Sequence, residues 1–263
     1  MPDKTDLIDR VITFLKQEQE IFGRFDPDQL QINTNLIDAA SSNQKEFPDA
    51  VVSHSVNSNS AAGSQTDHSD VESALNACET LEELRQLCAD SEVLRTDLEN
   101  TNLVFGVGNP DADLMLIGEA PGMNEDKQGE PFVGKAGQLL NKILKAIHFE
   151  REDVYIANIL KHRPPQNRDP KPEERLRSLP FLYRQIEIID PKLILCLGRV
   201  SAHTLLDTTL PMKSLRGKFH RFMGNRELLV TFHPAALLRN PGWKRDTWED
   251  VQKLRSRYDE LTS

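Results

Sequence analysis

The apolar positions of this chain follow two kinds of pattern. Short continuous runs at Leu114–Ile117, Val154–Ala157, Leu193–Leu197 and Leu228–Phe232, bounded by turn-forming or polar residues, predict strands buried on both faces. Between them, apolar residues recur at helical spacing and predict helices over Gly134–Ile147, Pro172–Ile189, Arg199–Leu206 and Trp243–Leu261. Pro172 suits the start of its helix, where an amide would have no intrahelical partner. Strands alternating with helices predict a parallel sheet. Upstream, Leu7, Ile8, Val11, Ile12, Leu15, Ile21 and Phe22 place an amphipathic helix over Asp6–Phe22, and a further helix is expected from Val71 to about Ala89. The Ser/Asn/Ala-rich run from Ser53 to Ser69 buries too little apolar surface to offset the entropy of ordering it. The expected organisation is therefore a helix within residues 1–25, a disordered linker over 26–70 and a catalytic body over 71–263.

In an open parallel sheet, ligands collect outside the carboxyl ends of the strands. The residues at or just past those ends are Glu119, Asn158, Arg199 and His233. The first strand opens into Gly118-Glu119-Ala120-Pro121-Gly122, and Pro131-Phe132-Val133-Gly134 then delivers an aromatic ring on a turn bounded by Pro and Gly. A carboxylate and a ring converging on one crevice suit a pocket for a nucleobase. A phosphate-binding G-x-x-x-x-G-K-[ST] loop, a G-x-S-x-G elbow, an H-E-x-x-H pair and a dinucleotide fingerprint after a strand are all missing, which disfavours nucleotide hydrolysis.

Charge changes the picture once it is divided along the chain. The net charge is −9, but residues 1–70 carry 12 acidic and 5 basic side chains, leaving −2 for the body. Within that body, basic residues cluster at Lys161, Arg163, Arg168 and Lys171, at Arg216, Lys218 and Arg221, and at Arg239, Lys244 and Arg245, in segments that can follow phosphates. The 3 cysteines have no paired spacing, which fits reduced thiols. No run is apolar enough to span a bilayer and no secretory leader opens the chain, so the expectation is a cytoplasmic protein without membrane contact.

Five blocks in order, Gly118-Glu119-Ala120-Pro121-Gly122, Pro131-Phe132-Val133-Gly134, Val154-Tyr155-Ile156-Ala157-Asn158, Arg163-Pro164-Pro165-Gln166-Asn167-Arg168 and His233-Pro234-Ala235-Ala236-Leu237-Leu238-Arg239, resemble family 4 uracil-DNA glycosylases over about Leu81 to Leu254. The resemblance implies a three-layer α/β/α sandwich around a four-stranded parallel sheet and hydrolysis of the uracil–deoxyribose bond after the base is flipped out of single- or double-stranded DNA. It implies that uracil stacks on Phe132 and is read at its Watson–Crick edge by Asn158, with Glu119, Ala120 and Pro121 lining the pocket. His233 would donate toward uracil O2 as charge grows there. Glu119 would orient water or stabilise the cationic sugar, with Asp126 or Glu125 as substitutes. Leu237 or Leu238 would wedge the vacated stack, and Lys161, Arg163, Arg168, Arg216 and Arg239 would contact DNA. A non-catalytic relative, or one trapped covalently on the abasic sugar through His162, is the alternative. A monomer is expected, with the N-terminal helix free to meet an unknown protein partner.

One departure bears on cofactor content. Family 4 enzymes usually hold a four-iron, four-sulfur cluster on four cysteines, and the matching positions here are Cys88, Ser91, His162 and Ser178. One thiol and two hydroxyls do not make a soft-ligand site, so no cluster and no other metal is expected.

Overall fold

A computed structural model describes residues 68–263; the expected helix over Asp6–Phe22 and the linker up to residue 67 lie outside them, and the last three residues assigned to the linker are corrected to the start of a helix. The body is built on a six-stranded sheet. In chain order its strands are β1 (Val107–Gly108), β2 (Leu114–Gly118), β3 (Tyr155–Asn158), β4 (Leu193–Leu197), β5 (Phe219–Phe222) and β6 (Arg226–Thr231), arranged β1-β3-β2-β4-β6-β5. The four central strands are mutually parallel, as the apolar runs predict. The expectation of four strands is corrected at both edges, where β1 pairs with β3 and β5 with β6 in antiparallel fashion.

The continuous apolar runs are explained by which face each residue serves. Met115 and Ile117 of β2, Ile194 and Cys196 of β4, and Leu228 and Val230 of β6 enter one core. Leu114, Leu116, Leu193, Leu195, Leu197 and Leu229 alternate into the other. Side chains of successive strand residues point to opposite faces, so a strand covered on both sides must be apolar throughout. The first core is closed by Leu179, Leu182, Ile186 and Ile189 of helix α5 (Pro172–Ile189) and by Ala202 and Leu205 of α6 (Arg199–Leu206). The second is closed by Leu140 and Leu144 of α4 (Lys135–Ala146) and by Val251 and Leu254 of α9 (Lys244–Thr262). This is the α/β/α sandwich. Each of these leucines, fully buried, contributes about 2 kcal/mol relative to leaving it in water.

The expected helix from Val71 to Ala89 is two helices, α1 (His68–Ala77) and α2 (Leu81–Asp90). Thr80 stops the first run and caps the second: its hydroxyl accepts from Glu83 N while Glu83 accepts from Thr80 N. The Thr-x-x-Glu spacing was the available signal. Leu75, Leu84 and Cys88 of this pair pack on Phe105 and on Phe181 of α5. Three short helices complete the set, α3 (Met123–Gln128), α7 (Met212–Leu215) and α8 (Pro234–Arg239). No helix among the described residues is long and apolar enough to cross a membrane.

Candidate active site

The carboxyl ends of β2 and β3 are locked in register, with Gly118 opposite Asn158. The pairing continues past the strands, Ile159 N donating to Gly118 O and Leu160 N to Glu119 O. Asn158 is thereby held facing the β2 exit loop. Its side chain is 2% exposed, and its Oδ1 has no hydrogen-bond partner among the described residues. A buried acceptor left unpaired costs on the order of 1–3 kcal/mol, which a donor on a bound ligand would recover.

Phe132 forms a wall beside that oxygen. A side chain at Gly118 would overlap Asn158 Oδ1 and place its first carbon 2.6 Å from Phe132 Cζ, so glycine is required where strand, amide and ring converge. Phe132 takes a left-handed φ of 54°, a conformation that a bulky residue holds only when its surroundings impose it. The imposing groups are visible. Val133 N and Gly134 N both donate to Glu125 Oε1, at 3.0 and 2.9 Å, and Arg151 donates to the carbonyls of Pro131 and Phe132. Gly137 of α4 packs so closely beneath the turn that any side chain there would overlap the Phe132 carbonyl.

Glu125, a substitute catalytic carboxylate on sequence grounds, is therefore a positioning residue for the Phe132 turn. Asp126, the other substitute, accepts from Asn102 N at 2.8 Å. Glu119 directly follows β2, and its backbone carbonyl accepts from Leu160 N. Burial, followed by the nearby charge of Asp169, pushes its pKa up to about 7, against the opposing pull of Arg199, Arg175 and Arg239.

His233 completes the pocket from β6. It caps α8, and its Nδ1 accepts from Ala235 N at 3.1 Å. This bond assigns the tautomer: Nε2 carries the proton and is a donor. Burial and, after it, Arg239 lower the imidazole pKa to about 4, so the ring is neutral at physiological pH. Its centroid lies 5.5 Å from that of Phe132, tilted by 31°. Gly198 at the β4 exit has a φ of +99°, and a side chain there would come within 2.8 Å of His233 Cβ.

The structure divides the predicted DNA contacts. Lys161 is corrected outright: it is 0% exposed and donates to Phe105 O, Asn158 O and Gln185 Oε1, with burial lowering its pKa to about 8. Arg168 is bound by both oxygens of Glu174 and by Asp97, and Arg216 by both oxygens of Asp250; both are internal braces. Arg163 donates to Asn167 Oδ1 at 2.7 Å and keeps little exposed surface. Leu237 is 1% exposed and Leu238 46%, and Arg239 is exposed beside them.

The residues at the cluster positions do not fit an iron–sulfur group. Cys88 is the single thiol among the four positions, and it is buried. Ser178 donates to Ile159 O at 2.6 Å, and His162 Nδ1 meets Thr101 Oγ1 at 3.0 Å with the ring 1% exposed. His162 is equally sealed from any sugar, which removes the basis for a covalent adduct there.

Comparison with known proteins agrees with this arrangement. The family model of the uracil DNA glycosylase superfamily matches residues 105–252. The chain is 43% identical over 162 residues to the type-4 uracil-DNA glycosylase of Thermotoga maritima, covering 60% of this chain and 84% of that protein. It is 44% identical over 163 residues to that of Archaeoglobus fulgidus, covering 59% and 81%. A type-5 enzyme of Thermus thermophilus matches at 28% over 149 residues, covering 49% of this chain and 68% of that protein. With an unpaired amide oxygen, an aromatic ring and a histidine gathered beyond the carboxyl ends of the parallel strands, and with that degree of identity, the chain belongs to the type-4 branch of the uracil-DNA glycosylase superfamily.

Proposed function

We propose that this protein excises uracil from DNA by hydrolysing the bond between the base and deoxyribose, leaving an abasic site for repair. The observation that carries the reading is the unpaired Oδ1 of Asn158, buried beside Phe132 and His233. Uracil presents an N3–H donor flanked by two carbonyl acceptors. Asn158 Oδ1 accepts from N3–H, and its amide donates to O4. Cytosine has an acceptor at N3 and a donor at C4, so the same amide meets it with both signs reversed.

As the C1′–N1 bond breaks, its electron pair stays on the base and accumulates at O2. His233 Nε2 donates there, and because the ring is already neutral and fixed by Ala235 N, no reorganisation accompanies the charge. Water forms the new C1′–O bond and gives up a proton, and the departing uracil anion takes one up. Glu119, half ionised near pH 7, stabilises the cationic sugar and orients that water as its carboxylate. Leu238 occupies the gap left by the flipped nucleotide, and Arg239 holds a neighbouring phosphate.

The chemistry proceeds without an iron–sulfur group, since the four positions offer one thiol, two hydroxyls and a histidine whose Nδ1 already meets Thr101. The described residues contain no other group of three or more His, Cys, Asp or Glu able to hold a metal. The three buried free thiols are consistent with a cytoplasmic setting. Release of uracil from a defined oligonucleotide, with an abasic strand as the second product, tests the activity. Iron and sulfide assays on the same preparation test the cofactor reading, and stoichiometric amounts of either would overturn it.

A further inference from the structure

Both tryptophans of the chain, Trp243 and Trp248, are exposed, at 41% and 42%. Large aromatics left in water call for an explanation when they sit together and beside a working site. Trp243 follows α8 by a short turn that begins at Pro241, and its N–H donates to Asn240 O. Its ring stacks on Phe232, with centroids 4.6 Å apart and planes 17° from parallel. The Arg216 guanidinium lies 5.5 Å from the Phe232 centroid and is itself held by Asp250. Phe232 directly precedes His233, so the stack is rooted in the chain that carries the pocket's donor. Around it, Leu238, Arg239, Lys244 and Arg245 are all exposed.

We propose that the open face of Trp243 is a stacking platform for an unpaired base of the uracil-bearing strand, next to the flipped nucleotide. Three observations favour a nucleic acid strand over a protein partner. The ring is stacked on Phe232, which the Arg216 guanidinium faces in turn, so its π-face is preorganised as base stacking requires. The adjoining chain carries exposed cations at Arg239 and Lys244, with Arg245 paired to Glu249 at 3.4 Å, which suits phosphates beside a stacked base. The platform also continues from Leu238 and Arg239, the residues placed at the DNA by the glycosylase reading, on which this inference rests. The occupant must be unpaired, because a base still in a duplex has both faces covered. The platform therefore favours uracil in single-stranded or locally opened DNA.

The two tryptophans supply the test. In a Trp248→Phe background, Trp243 is the sole indole, and its fluorescence should be quenched by a single-stranded oligonucleotide carrying one 2′-fluorinated deoxyuridine, whose base departs slowly. Replacing the flanking bases one at a time with abasic linkers should abolish the quench at a single position. Trp243→Leu, which keeps apolar bulk without a π-face, should weaken binding of that oligonucleotide by roughly 5- to 50-fold, and Trp243→Phe should restore most of the affinity. Unquenched fluorescence, or Trp243→Leu binding as tightly as its parent, would overturn the platform. So would slower excision at saturating enzyme with unchanged affinity, which would make Trp243 a prop for His233. Uracil release by the parent protein is measured alongside: excision without quenching sinks only the platform, whereas no excision at all sinks the glycosylase reading.

Discussion

Asn158 and Lys161 lie three residues apart on the same exit from β3, both buried, and they do opposite things. Every donor of the Lys161 ammonium has an internal acceptor. The side-chain Oδ1 of Asn158 has none among the described residues. A satisfied buried polar group ties elements together: Lys161 joins the segment before β1, the β3 exit and α5. The unsatisfied Oδ1 is available to a ligand in the proposed reading. The same division runs through the charged residues, with Arg168 and Arg216 closed on carboxylates and Arg239 left exposed. For these residues, what a side chain is bonded to says more about its part in the fold than its charge does.

The largest expected effect tests the unsatisfied side of that contrast. Asn158→Ala should slow single-turnover excision by on the order of 100- to 1000-fold, as should His233→Ala, each losing about 2.7–4 kcal/mol of transition-state stabilisation. DNA affinity and its salt dependence should stay near wild type for both, because phosphate contacts supply most of that affinity. Excision by Asn158→Ala at the wild-type rate would break the base-edge assignment.

Lys161→Met tests the satisfied side. It strands three buried acceptors and should lower stability by about 3 kcal/mol, seen as an early melting transition, while the folded fraction excises uracil normally. A Lys161 variant with full stability but weakened DNA binding would reverse the correction made above.

The neighbouring leucines offer the same contrast at smaller scale. Leu237→Ala should cost about 2–4 kcal/mol of stability through a cavity. Leu238→Ala should leave the melting point nearly unchanged and instead reduce excision from duplex DNA more than from single strands.

The smallest effect is in pH. The Glu119 pKa is raised by the fold, so the folded state binds this proton more tightly than the unfolded chain does. Its contribution to stability is therefore present below about pH 4.5 and is lost as pH rises toward 7. Over the same range the working carboxylate appears, so excision should climb through pH 7 while stability slips. Glu119→Gln should flatten both trends. A rate profile that keeps its rise near pH 7 in Glu119→Gln would assign that titration to another group.

The parallel core was legible in the sequence because Leu114–Ile117 and Leu193–Leu197 must be apolar at every position when helices cover both faces. The edge strands were not: β1 has two residues, and Phe219–Phe222 alternates in the manner of many exposed segments. Asn158 and His233 could be found from strand ends and local context. Glu125 and Arg151 could not be given their roles, since the bonds that bend the Phe132 turn reach across 8 to 20 residues of chain. The basic clusters misled for a related reason. A run of arginines looks the same in sequence whether a carboxylate such as Glu174 or Asp250 folds back onto it or solvent does.

The clamp on Phe132, with Gly118 above the ring and Gly137 under its backbone, has a consequence for fidelity. In the proposed reading a fixed wall would measure every flipped base against the same aperture. A base that does not fit would then slip back to the helix uncut, so discrimination would rest on the shape of the aperture and would depend on two missing side chains.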